Sequence, residues 1–176
     1  MSFISIADPM ESLRSASKRG ADIRFVDPRQ NESIKGIGSH VPIKPDTDVY
    51  LMAAILHHLF ARDLVDHKYL NKHADHVEGL QSFVKNYSPD HVESAVGISS
   101  KLIKALAEDI GAAKSAAFYM STGVNMGQQG SIAYWLLFML SVVTGNLDRP
   151  GGNVYSPGFY PAAKAGRVQG LSLIHI

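Results

Sequence analysis

No cysteine occurs anywhere in the 176 residues. That excludes disulfides, iron–sulfur ligation and thiolate metal sites within this chain, and leaves the compartment open. Charge of one sign is lacking too: 17 Lys and Arg stand against 16 Asp and Glu, a net charge of +1. No face that tracks a polyphosphate is implied, so no nucleic-acid partner is expected. Long apolar runs are also missing. The longest, "IAYWLLFMLSVVTG" (132–145), falls short of the ~20 residues of a membrane span and reads as a deeply buried helix. The N-terminal "MSFISIADPME" has neither the basic segment nor the apolar stretch of a secretory signal. There is no P-loop, no GxGxxG following a strand, no nucleophile beside a base and no paired-carboxylate motif. A standard NAD site is thereby disfavoured, and no catalytic residue or metal ligand can be named.

What remains is a globular composition, 45% hydrophobic and 19% charged, long enough for one domain with a real core. Asp8-Pro9-x-Glu11 starts a helix, with Asp at the N-cap and Pro at the first helical position; Gly20 stops it. A strand over 22–26 follows, and then Asp27-Pro28-Arg29. "HVPIKP" (40–45) gives a second short strand. "PDTD" leads into a helix over 47–61, with Val49, Met52, Ile55, Leu56 and Leu59 at helical spacing. Short helices are predicted over 68–72, 77–86, 89–96 and 101–111, then a strand over 116–120, the loop "STGVNMGQQG" and the buried helix over 131–144. Strands alternating with helices predict an α/β, three-layer domain around a mostly parallel sheet. The strand expected before the first helix is at best "FISI", and it is expected upstream of Met1 instead.

In open parallel sheets, ligands sit outside the carboxyl ends of the strands. Three such ends carry polar loops: Asp27-Pro28-Arg29, Pro45-Asp46-Thr47-Asp48 and 121–127. Carboxylates there can accept from ribose hydroxyls or from the N1 and N2 hydrogens of a guanine. Arg29 offers a planar fork to a phosphate or a base. Each loop alone also reads as an ordinary turn or N-cap; three on one rim favour ligand contact. Five histidines fall between 57 and 76, and His73 and His76 form an HxxH, but no third metal ligand is fixed by spacing. Tyr134, Trp135 and Phe138 read as core packing.

Four strings, "KRGADIRFVDPRQNES", "VPIKPDTDVYLMAAILHHL", "YSPDHVESAVGISSKLIKALAEDI" and "MSTGVNMGQQG" with "LLFMLSVVTGNLDRPGGN", stand in an order and spacing that resemble the dimethyl sulfoxide reductase family of molybdopterin oxidoreductases. The similarity covers about Asp8 to Gly158. It implies a NAD-binding-like (Rossmann-like) domain holding part of a bis-molybdopterin guanine dinucleotide cofactor with molybdenum or tungsten. It further implies that Asp27, Pro28 and Arg29 flank the ribose and guanine of one cofactor tail, with Asp46 in the adjoining turn. Asp48 would recognise the guanine, and Thr122, Gly123, Asn125 and Met126 would reach towards the cofactor from the third strand. Gly158 and Phe159 would fall near the substrate funnel. Two positions depart from the family pattern: Gly is usual where Asp46 stands, and Gln is common at Met126 in formate dehydrogenase-like and nitrate reductase-like members.

By the same resemblance, residues 1–157 are a fragment of the dinucleotide-binding domain and 158–170 begin the following segment. The terminal "LSLIHI" (171–176) is what CTG TCT CTT ATA CAC ATC encodes, which resembles a sequencing-library adapter, so the natural coding sequence is expected to continue. Met1 is expected to be an internal methionine of a longer protein, with the iron–sulfur segment and metal ligand in its missing parts. The partners implied are the rest of the same polypeptide and an iron–sulfur electron-transfer subunit, in the cytoplasm or the periplasm. The whole enzyme would carry out oxygen-atom or two-electron transfer on a small substrate, and the fragment alone would be inactive. A stand-alone nucleotide-binding module and a non-catalytic homologue in a respiratory complex are the other two readings.

Overall fold

The structure, a computed structural model, describes residues 8–32 and 34–154. "FISI", Gly158, Phe159 and "LSLIHI" lie outside the described residues. The first helix, α1 (Pro9–Lys18), begins as its sequence dictates. The Asp8 carboxylate accepts the Glu11 amide at 3.0 Å, and Pro9 sits where a backbone N–H would find no partner. Past its end Gly20 takes φ 93°, and its N–H donates to the Ser17 carbonyl at 2.9 Å.

Strands β1 (Arg24–Val26) and β2 (Ser39–Val41) pair in parallel, with Arg24 opposite Ser39, Phe25 opposite His40 and Val26 opposite Val41. The connection re-enters the sheet at Gly38. A Cβ there would lie 2.3 Å from the Ile23 carbonyl oxygen, so only glycine lets the chain pass this close.

Helix α2 (Asp48–Ala61) is the centre of the molecule. It packs against α4 (Val77–Val84), α5 (Pro89–Val96), α6 (Ser100–Ala112) and α8 (Gly130–Val143). Leu51, Met52, Ala53, Ala54, Ile55, Leu56 and Leu59 are all buried. This helix is apolar nearly all round, the pattern of one enclosed by neighbours rather than lying on a surface. The small helix α3 (His67–His73) rests on α8, and α5 and α6 start from Ser88 and Ser99, whose hydroxyls accept the His91 and Leu102 amides. No helix among the described residues is long and apolar enough to cross a membrane.

Two elements differ from the sequence reading. The predicted strand 116–120 is extended but joins no ladder among the described residues. Side-chain amides stand in for a neighbouring strand. Asn146 Oδ1 accepts the Ala116 amide at 3.0 Å, and Asn153 takes both groups of Phe118, its Oδ1 accepting the N–H at 2.8 Å and its Nδ2 donating to the carbonyl at 2.6 Å. The loop "STGVNMGQQG" contains a one-turn helix, α7 (Thr122–Asn125), between that segment and α8. The described residues therefore form a mixed α/β fold with a small parallel sheet and many helices.

Two neighbouring histidines on α2 make the fold sensitive to acid. The Nδ1 atom of His57 is buried without a hydrogen-bond partner. Burial, and then the adjacent His58, hold the His57 imidazole below its ordinary 6.5. The unfolded chain then binds the proton more readily than the folded one. Stability from this group is present above about pH 6.5 and is lost as the pH falls below it. Urea midpoints measured from pH 8 to pH 5 should decline more steeply for the wild type than for His57→Gln.

Candidate functional site

Two of the three loops emerge where β1 and β2 end, and the third follows segment 116–120. At Asp27 the sheet makes its last rung, the Asp27 amide donating to the Val41 carbonyl at 3.2 Å. The chain then folds back. Asp27 Oδ1 accepts the Arg29 amide at 2.7 Å and Oδ2 the Asn31 side-chain amide at 3.3 Å, while the His40 ring Nε2 lies 2.7 Å from the Asp27 carbonyl oxygen. Pro28, with its fixed φ, suits this tight turn. Most of the Asp27 carboxylate is thus engaged in shaping its own loop. Arg29 is not: its side chain is 79% exposed and pairs with Glu32 at 3.9 Å. Such a surface pair contributes about 0–1 kcal/mol, so it holds the fork weakly.

The second loop joins β2 to α2. Thr47 occupies the N-cap position of α2 without capping it, its hydroxyl donating instead to the Lys44 carbonyl at 2.6 Å. Asp46 stands at φ 61°, the left-handed conformation that glycine adopts most readily. Asp48 opens the helix and is half-buried. Its carboxyl is pushed above the ordinary range, first by burial and then by the negative charges of Asp46 and Asp27, although its own backbone N–H pulls the other way.

The third loop closes onto the second. Asp46 Oδ1 accepts the Gln128 amide at 3.1 Å across 82 residues of sequence, with Oδ2 at 3.4 Å. A cleft of about 10 Å3, room for one water, lies between them and is lined by Asp46, Asp48, Val49, Val124, Gln129 and Ala133. The structure therefore brings Asp46 and Asp48 together and couples Asp27 to them through charge. Thr122, Gly123, Asn125 and Met126 ride on or beside α7, are exposed and do not line the cleft; Met126 is 80% exposed. A Cβ at Gly123 would meet nothing, so no close approach within this chain requires glycine there. The sequence reading missed Val124, Gln129 and the Gln128 amide. Only Gln129 had a signal, lying one helical turn before Ala133.

A half-buried carboxylate raised by burial and by neighbouring acids can accept a pair of N–H donors. Among the described residues no group of three or more His, Cys, Asp or Glu side chains is placed to hold a metal ion. The His73 ring instead lies against Tyr69, centroids 4.7 Å apart.

A family model described as molybdopterin oxidoreductase matches residues 7–173. The chain belongs to that family. Among curated molybdopterin oxidoreductase relatives, a nitrate reductase of Synechocystis sp. is 29% identical over 160 residues, covering 90% of this chain and 22% of its own length. Formate dehydrogenase H of Escherichia coli is 30% identical over 140 residues, 80% of this chain and 20% of its own length. The chain thus spans about a fifth of the relatives it matches. A solved structure, acetylene hydratase from Pelobacter acetylenicus, superposes with a TM-score of 0.76 over 80% of this chain and 19% of its own, at 20% identity. That likeness concerns the fold.

Proposed function

We propose that this chain is the part of a molybdopterin oxidoreductase catalytic subunit that binds the guanine dinucleotide tail of the cofactor. The observation that carries the reading is Asp48, a half-buried carboxylate at a cleft, raised in pKa by burial and by two neighbouring acids. A guanine presents N1–H and N2–H side by side, and a carboxylate with two oxygens accepts both. Donors of that kind relieve the electrostatic strain at Asp48, whereas the amino group of adenine offers only one. Asp27 lies close enough to accept from a ribose hydroxyl with the lone pairs its loop leaves over, and Arg29 is free to fork onto a phosphate or the base.

When bound, the cofactor supplies two-electron or oxygen-atom transfer at a molybdenum or tungsten centre. This chain's own residues only bind and orient the tail. The metal ligand, the iron–sulfur cluster and the contacts to an electron-transfer subunit would belong to the remainder of a protein of the relatives' length. The small parallel sheet would then be part of a larger Rossmann-like one, and the isolated chain would be inactive.

Isothermal titration with GMP and AMP tests the assignment. GMP should bind more tightly than AMP. Asp48→Ala should weaken GMP at least about tenfold, since hydrogen bonds to a charged group contribute about 1.5–3 kcal/mol each. Equal GMP binding by the wild type and Asp48→Ala would remove the assignment. Lowering the pH towards the raised Asp48 pKa should also weaken GMP, because the neutral carboxyl loses acceptor strength.

A further inference from the structure

Asp46 differs in kind from the other acids on this rim. It holds φ 61°, a conformation that a residue with a Cβ adopts only under constraint, although Asp tolerates it better than most. Its carboxylate reaches across to the Gln128 amide. Opposite it, Gly127 leaves no room for a side chain: a Cβ there would lie 2.2 Å from Asp46 Oδ1. Two places far apart in sequence are thus shaped to one another, a strained acid that extends and a glycine that admits it. Gly130 reinforces the arrangement from below, for a Cβ there would fall 2.3 Å from the Asn125 carbonyl oxygen and force α7 away from α8.

We propose that Asp46 is a positioning residue, a clamp that holds the 126–129 loop against the start of α2 and so sets Gln129 opposite Asp48 across the cleft. Its carboxylate is occupied by the protein's own backbone and does not recognise the ligand. Asp48, two residues on, does that. The clamp gives the acid beside Asp48 a role although its charge is unfavourable there: it trades repulsion of a neighbouring carboxylate for a fixed loop. Loop geometry set before binding strengthens affinity because less order has to be imposed when the ligand arrives. The consequence for nucleotide affinity rests on the guanosine reading above; the clamp itself does not.

The substitution that isolates this role is Asp46→Gly, since glycine accepts the same backbone angle and removes only the clamp. Amide hydrogen exchange at Gln128, measured without nucleotide, should speed up about tenfold in Asp46→Gly, while the urea midpoint stays at or above that of the wild type. Asp46→Asn keeps an acceptor oxygen and should restore most of the protection. Gly127→Ala should open the loop from the other side, and adding it to Asp46→Gly should cost little more than either alone. GMP affinity should fall severalfold in Asp46→Gly and recover in Asp46→Asn. Unchanged Gln128 exchange in Asp46→Gly would overturn the clamp. Faster exchange with unaltered GMP affinity would overturn its positioning role. If the wild type bound no GMP, the guanosine reading would fall, and faster Gln128 exchange would still support the clamp.

Discussion

Leu56→Ala is expected to lower the unfolding free energy by about 2–5 kcal/mol, the largest single effect of any substitution considered. Leu56 is fully buried near the middle of α2, the helix around which α4, α5, α6 and α8 are all arranged. Its removal loses the transfer free energy of the deleted carbons and leaves a cavity. Four helices converge on α2, so the site cannot collapse without moving several elements at once. A domain of this size has a total stability of about 5–15 kcal/mol, so the variant would sit near the limit of folding. Urea titration followed by circular dichroism checks this. A loss below about 1 kcal/mol would mean that α2 is not the enclosed centre of the fold.

A second large effect is expected at Asn146, in the turn-rich stretch after α8. Its side chain is buried, with 2% of the residue exposed, and every polar atom on it is used. Oδ1 accepts the Ala116 amide at 3.0 Å, and Nδ2 donates to the Thr144 hydroxyl at 2.8 Å and to the Thr144 carbonyl at 3.3 Å. Asn146→Ala strands these groups, each at about 1–3 kcal/mol, for a total loss of roughly 2–4 kcal/mol. The damage should also be local. Segment 116–120 leads directly into α7 and the third loop of the cleft, so faster hydrogen exchange at Ala116 and Phe118 should accompany the loss of stability. Asn153→Ala should show the same exchange pattern, since Asn153 also holds Phe118.

These two residues mark the boundary of what the sequence makes legible. Helix starts are local events, and Asp8-Pro9, Ser88-Pro89 and Ser99 could be read directly because the capping side chain lies within three residues of the amide it accepts. Helix α2 was legible from the spacing of its apolar residues. The stretch 116–120 alternates like a strand, yet its partners are side chains 30 and 35 residues away in what reads as a simple turn. No local signature announces such a bond.

The site divides in the same way. Asp27, Asp46 and Asp48 could be picked out because their loops follow short strands on one rim and lie in strings that resemble the family's. Their division of labour could not. Asp27 shapes its own turn, Asp46 reaches a backbone amide 82 residues on, and only Asp48 has its charge left under-compensated. The third loop was less legible for a different reason. One turn of helix is too short to show a period, so nothing in "TGVNM" indicated that Val124 would line the cleft while Met126 pointed to solvent.

The most direct measurement of the central claim is nuclear magnetic resonance of the 15N-labelled chain during titration with GMP. Saturable shifts are expected in the amides of Asp27, Arg29, 46–49 and 124–129, with the largest at Asp48 and Gln129, and weaker shifts with AMP. Shifts confined to residues away from these three loops, or equal responses to GMP and AMP at all of them, would contradict that claim.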